Sequence, residues 1–209
     1  SLANKKTLKA EKALVAIGRK LNSDALDLSN AGLCPAKQGA YIEVNEYMQT
    51  HVDHIYAIGD VTGKALLAHV ASHQGIIAAQ NACGQKHKMD YSAVPAVVFT
   101  HPEIATVGLN LEEAKLTCPA AKIGAFPFQA LGKAQAALEI EGFAQIVFNP
   151  DSMEILGAQI VGPDAGNLIS PMALAIQNEI TLDCIQETIH AHPTLAEVWL
   201  EAAYMAGDS

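Results

Sequence analysis

The sequence predicts an α+β protein in which an antiparallel sheet, accompanied by helices, occupies the carboxy-terminal half. Several short apolar segments follow one another after Pro95, and tight turns such as Asn149-Pro150-Asp151 join them, as is typical of antiparallel strands. Helical patterns lie between and after these segments. Half of the 209 residues are hydrophobic, so the chain can bury a substantial core.

The elements of this half are predicted from apolar runs and their periodicity. Strands are expected at residues 96–99, 104–107, 122–128, 143–148 and 155–161. Helices are expected at residues 111–116, 165–178, 182–189 and 194–206. We assign the whole region, residues 91–209, to one domain.

Two shorter regions, residues 1–33 and 34–90, precede this domain. The apolar run 13–17 stops at Gly18 and predicts a buried strand of a parallel sheet. Further strands are expected at 41–44 and 55–58, followed by a helix at 66–83. The first residues have little pattern, so we expect that the chain begins within a longer protein.

Composition excludes several classes of function. The net charge of −9 disfavours nucleic acids and acidic lipids as partners. No apolar run reaches the roughly 18 residues of a membrane helix, and the polar amino terminus lacks the core of a signal peptide. We therefore expect a cytoplasmic protein. The cysteines, at positions 34, 83, 118 and 184, form no close pair and are expected to be buried free thiols.

The strongest chemical signal is the run from Ile189 to Glu197, which reads Ile-His-Ala-His-Pro-Thr-Leu-Ala-Glu. A residue before proline is disfavoured in the helical region, so His192 is presented at the mouth of the next helix. An imidazole there can exchange protons near neutral pH, and Glu197 can orient it. The alternative is a plain capping box, in which Glu197 reaches back to the backbone of Thr194. From spacing alone the two roles compete for one glutamate.

A second signal is a strand that ends in Gly59-Asp60 and is followed by a helix start near Ala68 and His69. A carboxylate at the carboxyl end of a strand lies where ligands bind in α/β sheets. Glycine permits close approach of the backbone, and a helix amino terminus supports negative charge. On its own, Gly-Asp after a strand is more often a turn.

Other features have a less specific interpretation. His69 and His73 share one helix face, but no third ligand is evident, so we expect no metal site. His101-Pro102 imitates the later His-Pro pair and is interpreted as structural.

With the segments 14–22 and 99–108, these motifs occur in the order found in the pyridine nucleotide-disulfide oxidoreductases. The chain resembles the carboxy-terminal part of that family: the end of an NAD-binding domain, the last part of an FAD-binding domain and an interface domain. The sequence His190-Ala191-His192 favours the lipoamide dehydrogenase branch of the family. Mercuric or glutathione-type reductases, or a module that only dimerises, remain alternatives.

The resemblance implies roles for the motif residues. His192 would be the acid–base partner of a redox-active dithiol in the opposite subunit of a homodimer, with Glu197 orienting it and His190 structural. The reaction implied is oxidation of dihydrolipoyl groups with FAD and NAD⁺, with the dihydrolipoyl domains of 2-oxo acid dehydrogenase complexes as partners.

The resemblance also implies cofactor contacts. Asp60, after Gly59, would hold the ribityl chain of FAD, and Ala68, with His69 less directly, would face the flavin ring. The residues that would border NAD are Ala16, Ile17, Gly18 and Arg19. No Gly-x-Gly-x-x-Gly loop and no close cysteine pair is present, so we expect the chain alone to be inactive and to bind little or no FAD.

Overall fold

The structure is a computed structural model that describes residues 7–33 and 41–206. It divides into two compact units, one ending at Met89 and the other beginning at Asp90. Cys34 and the expected irregular start of the chain lie outside the described residues.

The second unit is built on an antiparallel sheet, which confirms the predicted fold class. The strands are Ala96–Val98 (β1), Glu103–Gly108 (β2), Lys122–Pro127 (β3), Phe143–Phe148 (β4) and Ile155–Gly162 (β5). Their order in the sheet is β1-β2-β5-β4-β3, and each neighbouring pair is antiparallel. Each strand lies within one or two residues of its predicted position.

The α-helices agree with the sequence less closely. They are Ala68–Ala82 (α1), Leu111–Thr117 (α2), Gly132–Ala137 (α3), Ala165–Leu168 (α4), Ser170–Gln177 (α5), Leu182–Glu187 (α6) and Glu197–Ala206 (α7). The prediction of one helix over 165–178 was wrong, because the segment is divided at Ile169 into α4 and α5. The last helix begins three residues later than predicted, and α3 was not predicted.

The core of the second unit forms where helices cover the sheet. Helix α7 packs on β3 and β4, and α5 packs on β5 and β2. Ile146, Ile160, Met172 and Val198 are fully buried there, and Trp199 donates its indole N–H to the carbonyl oxygen of Leu168 at 2.8 Å. Helix α7 is therefore held firmly at its amino-terminal end.

A β-bulge shapes the central strand β5. Val147 pairs with Gly157 and Phe148 pairs with Ile155, which leaves Leu156 as an extra residue. Ile155 and Ala158 consequently both enter the main core, although strict alternation would separate them. Leu156 packs instead with the smaller cluster around Val147 and helix α2.

The first unit is organised around α1 and a small apolar cluster. Leu33, Ile42 and Ala57 are buried in that cluster. The buried Asn81 of α1 donates to the carbonyl oxygens of Tyr47 and His87 at 2.9 and 2.8 Å, which ties two loops to the helix. Helix α1 was predicted correctly, although the predicted range exceeds the observed helix by two residues at the amino-terminal end and by one at the carboxy-terminal end.

The strands predicted in the first unit are not formed. Residues 13–17 are irregular, and Leu14 and Ile17 are each 92% exposed. A buried parallel strand needs neighbours on both sides, and the described part of this unit places no strand beside the run. Residues 41–44 are also irregular, and 55–58 form only an isolated bridge between Tyr56 and Gln49.

The cysteines also differ from expectation. The described ones, Cys83, Cys118 and Cys184, are free thiols, but Cys83 and Cys184 are exposed rather than buried. Within residues 7–33 and 41–206, no helix combines the length and the apolar character needed to cross a membrane.

The tight packing at the bulge generates a first prediction. A side-chain carbon added at Gly157 would collide with the backbone carbonyl oxygen of Leu109. We therefore expect Gly157→Ala to lower the free energy of unfolding by about 2 kcal/mol, measured by urea titration. Gly132→Ala is the control, because its added carbon meets no described atom within 4 Å and alanine favours helix α3. Equal stability of the two variants would contradict the prediction.

Candidate active site

The loop between α6 and α7 presents His192 to solvent beside a carboxylate. The Nδ1 atom of His192 lies 2.8 Å from Oε1 of Glu197, and the histidine side chain is 76% exposed. The glutamate is 16% exposed and is the first residue of α7. The anchored helix thus supports the glutamate, and the glutamate holds an imidazole that remains accessible to a reactant.

Glu197 serves both roles that the spacing suggested. Its Oε2 atom accepts a hydrogen bond from the backbone N–H of Thr194 at 2.7 Å, while Oε1 faces His192. The expectation that the two roles compete for one glutamate was therefore wrong for these two contacts, because a carboxylate has two acceptor oxygens. The capping box is only half formed, since the Thr194 hydroxyl donates to the carbonyl oxygen of Ala191.

These donors also control ionisation. The Thr194 N–H lowers the pKa of Glu197 below its ordinary value, and the hydrogen bond from His192 adds to the effect. A lowered pKa means that the carboxylate stabilises the folded loop fully only at pH values above the ordinary pKa of a glutamate, about 4.3. That stabilisation is lost as the pH falls through the lowered pKa.

The hydrogen bonds assign the histidine tautomers. An ionised carboxylate only accepts, so the proton of a neutral His192 belongs on Nδ1, and Nε2 is the basic nitrogen. His190 is assigned in the same way, since its Nδ1 lies 2.8 Å from the carbonyl oxygen of Thr188. The two histidines are therefore held by different groups, and only His192 is paired with a carboxylate through a side-chain contact.

The first unit contains the second group of predicted residues. Asp60 lies in a short 3₁₀ turn, Gly59–Thr62, and its Oδ2 atom is 3.0 Å from Nη1 of Arg19. Arg19 is thus placed beside the carboxylate predicted to bind FAD. The pair is partly solvated, with side chains 74% and 37% exposed, so it contributes little to stability and leaves Asp60 accessible.

Gly59 is fixed by a residue that sequence reasoning missed. Its N–H donates to Oε1 of the fully buried Gln74 at 2.6 Å, and its φ of +73° suits glycine. Gln74 connects this turn to α1, whose first residues Ala68 and His69 are exposed. A polar residue on the buried stripe of α1 was the available signal for this contact.

The remaining predicted residues are not assembled into a site. Ala16, Ile17 and Gly18 lie in the exposed irregular segment. Among the residues that the structure describes, no three potential metal ligands from His, Cys, Asp or Glu come together. His101 and Pro102 line an open cavity of about 410 Å³ with Leu138 and Glu141.

The antiparallel sheet covered by helices, and the loop that carries His192, can be compared with known protein families. Residues 94–203 match the pyridine nucleotide-disulphide oxidoreductase dimerisation domain, and residues 1–75 match the pyridine nucleotide-disulphide oxidoreductase family. The chain belongs to the pyridine nucleotide-disulphide oxidoreductase family.

Within this family, the chain is similar to curated proteins named dihydrolipoyl dehydrogenase. The chain is 57% identical over 193 residues to the dihydrolipoyl dehydrogenase of Chlamydia pneumoniae, covering 92% of this chain and 42% of the relative. It is 45% identical over 201 residues to the dihydrolipoyl dehydrogenase of Bacillus subtilis, covering 96% of this chain and 42% of the relative. The chain therefore spans about two fifths of the length of these curated relatives.

Solved structures agree with this assignment. LpdA from Mycobacterium tuberculosis superposes with a TM-score of 0.89 at 32% identity, covering 97% of this chain and 44% of that one. The flavoprotein disulfide reductase RclA of Escherichia coli gives a TM-score of 0.80 at 23% identity over 90% of this chain and 44% of its own, and shows likeness of fold alone.

The double use of Glu197 generates a second prediction. Glutamine offers one acceptor and one donor where the carboxylate offers two acceptors. If Thr194 N–H keeps the oxygen, the amide N–H₂ faces His192 and favours proton transfer from Nδ1 to Nε2. We expect Glu197→Gln to switch the major neutral tautomer of His192, measured by NMR of nitrogen-labelled histidine. Glu201→Gln, on the same helix, is the control, and an unchanged Nδ1–H tautomer in Glu197→Gln would contradict the assignment.

Proposed function

We propose that this chain is the carboxy-terminal part of a dihydrolipoyl dehydrogenase and supplies its acid–base pair. The supporting observation is the exposed His192, whose Nδ1 is held by Glu197 and whose Nε2 is left as the basic nitrogen. The high identity to dihydrolipoyl dehydrogenases over nearly the whole chain supports the same activity.

The overall reaction would oxidise a dihydrolipoyl dithiol to its disulfide. The dithiol gives up two electrons and two protons, and NAD⁺ takes a hydride, so that NADH and one proton are formed. Nε2 of His192 would remove the proton from an attacking thiol, because the thiolate is the nucleophile in thiol–disulfide exchange. Glu197 would stabilise the imidazolium that results.

His192 would act across a homodimer. The family resemblance implies that the redox-active dithiol it serves lies in the opposite subunit. The match of residues 94–203 to a dimerisation domain supports this arrangement. An exposed ring on an interface domain has the accessibility that such a role requires.

The first unit would contribute to cofactor binding. FAD supplies electron transfer between thiol and nicotinamide when it is bound. The accessible carboxylate of Asp60 suits sugar-type hydroxyl groups, and the exposed start of the 15-residue α1, at Ala68 and His69, suits an electron-rich ring. For NAD, the exposed residues 16–18 offer no shaped contact in the described part of the chain, so this role rests on the family resemblance.

We also infer partners and location from the family. Dihydrolipoyl domains of 2-oxo acid dehydrogenase complexes would deliver the substrate. The described free thiols are consistent with a reducing compartment, the cytoplasm.

The catalytic role of His192 is tested by substitution in the complete enzyme. We expect His192→Ala to reduce oxidation of dihydrolipoamide at least a hundredfold, because a general base contributes about 10²–10⁴-fold to rate. Formation of NADH reports the rate, and circular dichroism checks the fold. His101→Ala is the matched control, because it removes the histidine of the other His-Pro pair. Near-normal turnover in His192→Ala would refute the proposed role.

The role of Asp60 is tested by flavin content. We expect Asp60→Asn to lower the FAD retained by the purified enzyme several-fold, because the amide accepts hydrogen bonds from hydroxyls more weakly than a carboxylate. Visible absorbance per protein measures the flavin. Asp24→Asn is the control, because it breaks an ion pair to Lys20 of similar length and exposure. Equal flavin content in the two variants would contradict the assignment.

A further inference from the structure

The backbone and the side chain of Thr194 each form a hydrogen bond to a group that holds His192. Its N–H donates to Oε2 of Glu197 at 2.7 Å, and its hydroxyl donates to the carbonyl oxygen of Ala191 at 2.7 Å. Ala191 forms the peptide bond to His192, whose ring is held by the other oxygen of Glu197 at 2.8 Å. The three hydrogen bonds therefore form a closed loop of contacts that runs from His192 to Glu197, from Glu197 to the N–H of Thr194, and from the Thr194 hydroxyl back to the Ala191–His192 peptide.

Helix capping does not account for the position of the Thr194 hydroxyl. A threonine that starts a capping box accepts from the N–H three residues later, whereas this hydroxyl points back to Ala191. Its contact restrains the peptide group on which the exposed His192 is mounted. The N–H contact alone would hold the carboxylate but would not touch that peptide group.

Thr194 is also connected to the rigid part of the domain. It is half-buried, Leu195 packs against the main core, and Val198 and Trp199 of α7 are fully buried. The loop residues Ala191, His192 and Pro193 are exposed. Thr194 is thus the point at which the exposed part of the site joins the packed part.

We propose that Thr194 is a positioning residue, whose hydroxyl sets the orientation of His192 by holding the Ala191–His192 peptide. This inference rests on the proposed function of His192. A base that is misplaced by a fraction of an ångström still binds its reactant but reacts slowly, so the hydroxyl should influence kcat more than KM.

The test compares Thr194→Val with Thr194→Ser in the complete enzyme. Valine keeps the shape and the N–H but removes the hydroxyl, whereas serine keeps the hydroxyl. We expect Thr194→Val to lower kcat for dihydrolipoamide oxidation roughly tenfold with little change in the KM for dihydrolipoamide, and Thr194→Ser to retain most of the turnover. Thr117→Val is the matched control, since Thr117 also donates to a carbonyl three residues earlier, that of Ala114, at 3.3 Å.

A second readout does not depend on turnover. NMR of nitrogen-labelled histidine follows the His192 Nδ1–H bonded to Glu197, and we expect this proton to exchange faster in Thr194→Val but not in Thr194→Ser or Thr117→Val. Wild-type kcat and exchange in Thr194→Val would overturn the inference, as would equal losses in the valine and serine variants or in Thr117→Val. If His192→Ala remains active, the proposed function fails, and the exchange measurement alone decides the positioning role.

Discussion

One carboxylate, that of Glu197, determines the structure of the proposed site. Each of its oxygens accepts from a different donor: the backbone of Thr194 on one side and the ring of His192 on the other. The first contact starts the last helix, and the second sets which nitrogen of the imidazole is basic. Because both donors favour the ionised form, the same two contacts lower the pKa of the glutamate. Local folding and acid–base chemistry thus depend on the same group.

Much of the second unit could be predicted from sequence because its signals are local. Each strand of the antiparallel sheet pairs with a neighbour inside the unit, so apolar runs and turns are sufficient to locate it. The strand expected at 13–17 had the same composition but failed, since a buried parallel strand depends on distant neighbours. Helix ends were also misjudged: the helix expected over 165–178 is divided at Ile169, and the last helix begins at Glu197, whose carboxylate accepts from the Thr194 N–H, rather than at Thr194.

The candidate site shows a similar limit. Spacing identified His192 and Glu197 as a pair, but it treated two roles of the glutamate as competitors, since sequence shows one residue rather than two oxygen atoms. The contacts of Arg19 with Asp60 and of Gln74 with Gly59 span 41 and 15 residues, respectively. Such contacts become visible only when the chain is folded, although a glutamine within an apolar helix stripe marks where one was needed.

The bulge at Leu156 has a consequence for how this sheet tolerates change in evolution. An insertion or deletion elsewhere in a central strand would exchange the inward and outward faces for every residue beyond it. Strand β5 already contains one such shift: Ile155 and Ala158 on either side of it pack in the main core, and the extra residue Leu156 packs in a second apolar cluster. The number of residues in β5 is therefore constrained by both clusters. We expect descendants of this sequence to change the size of the side chain at Leu156 more readily than the number of residues there.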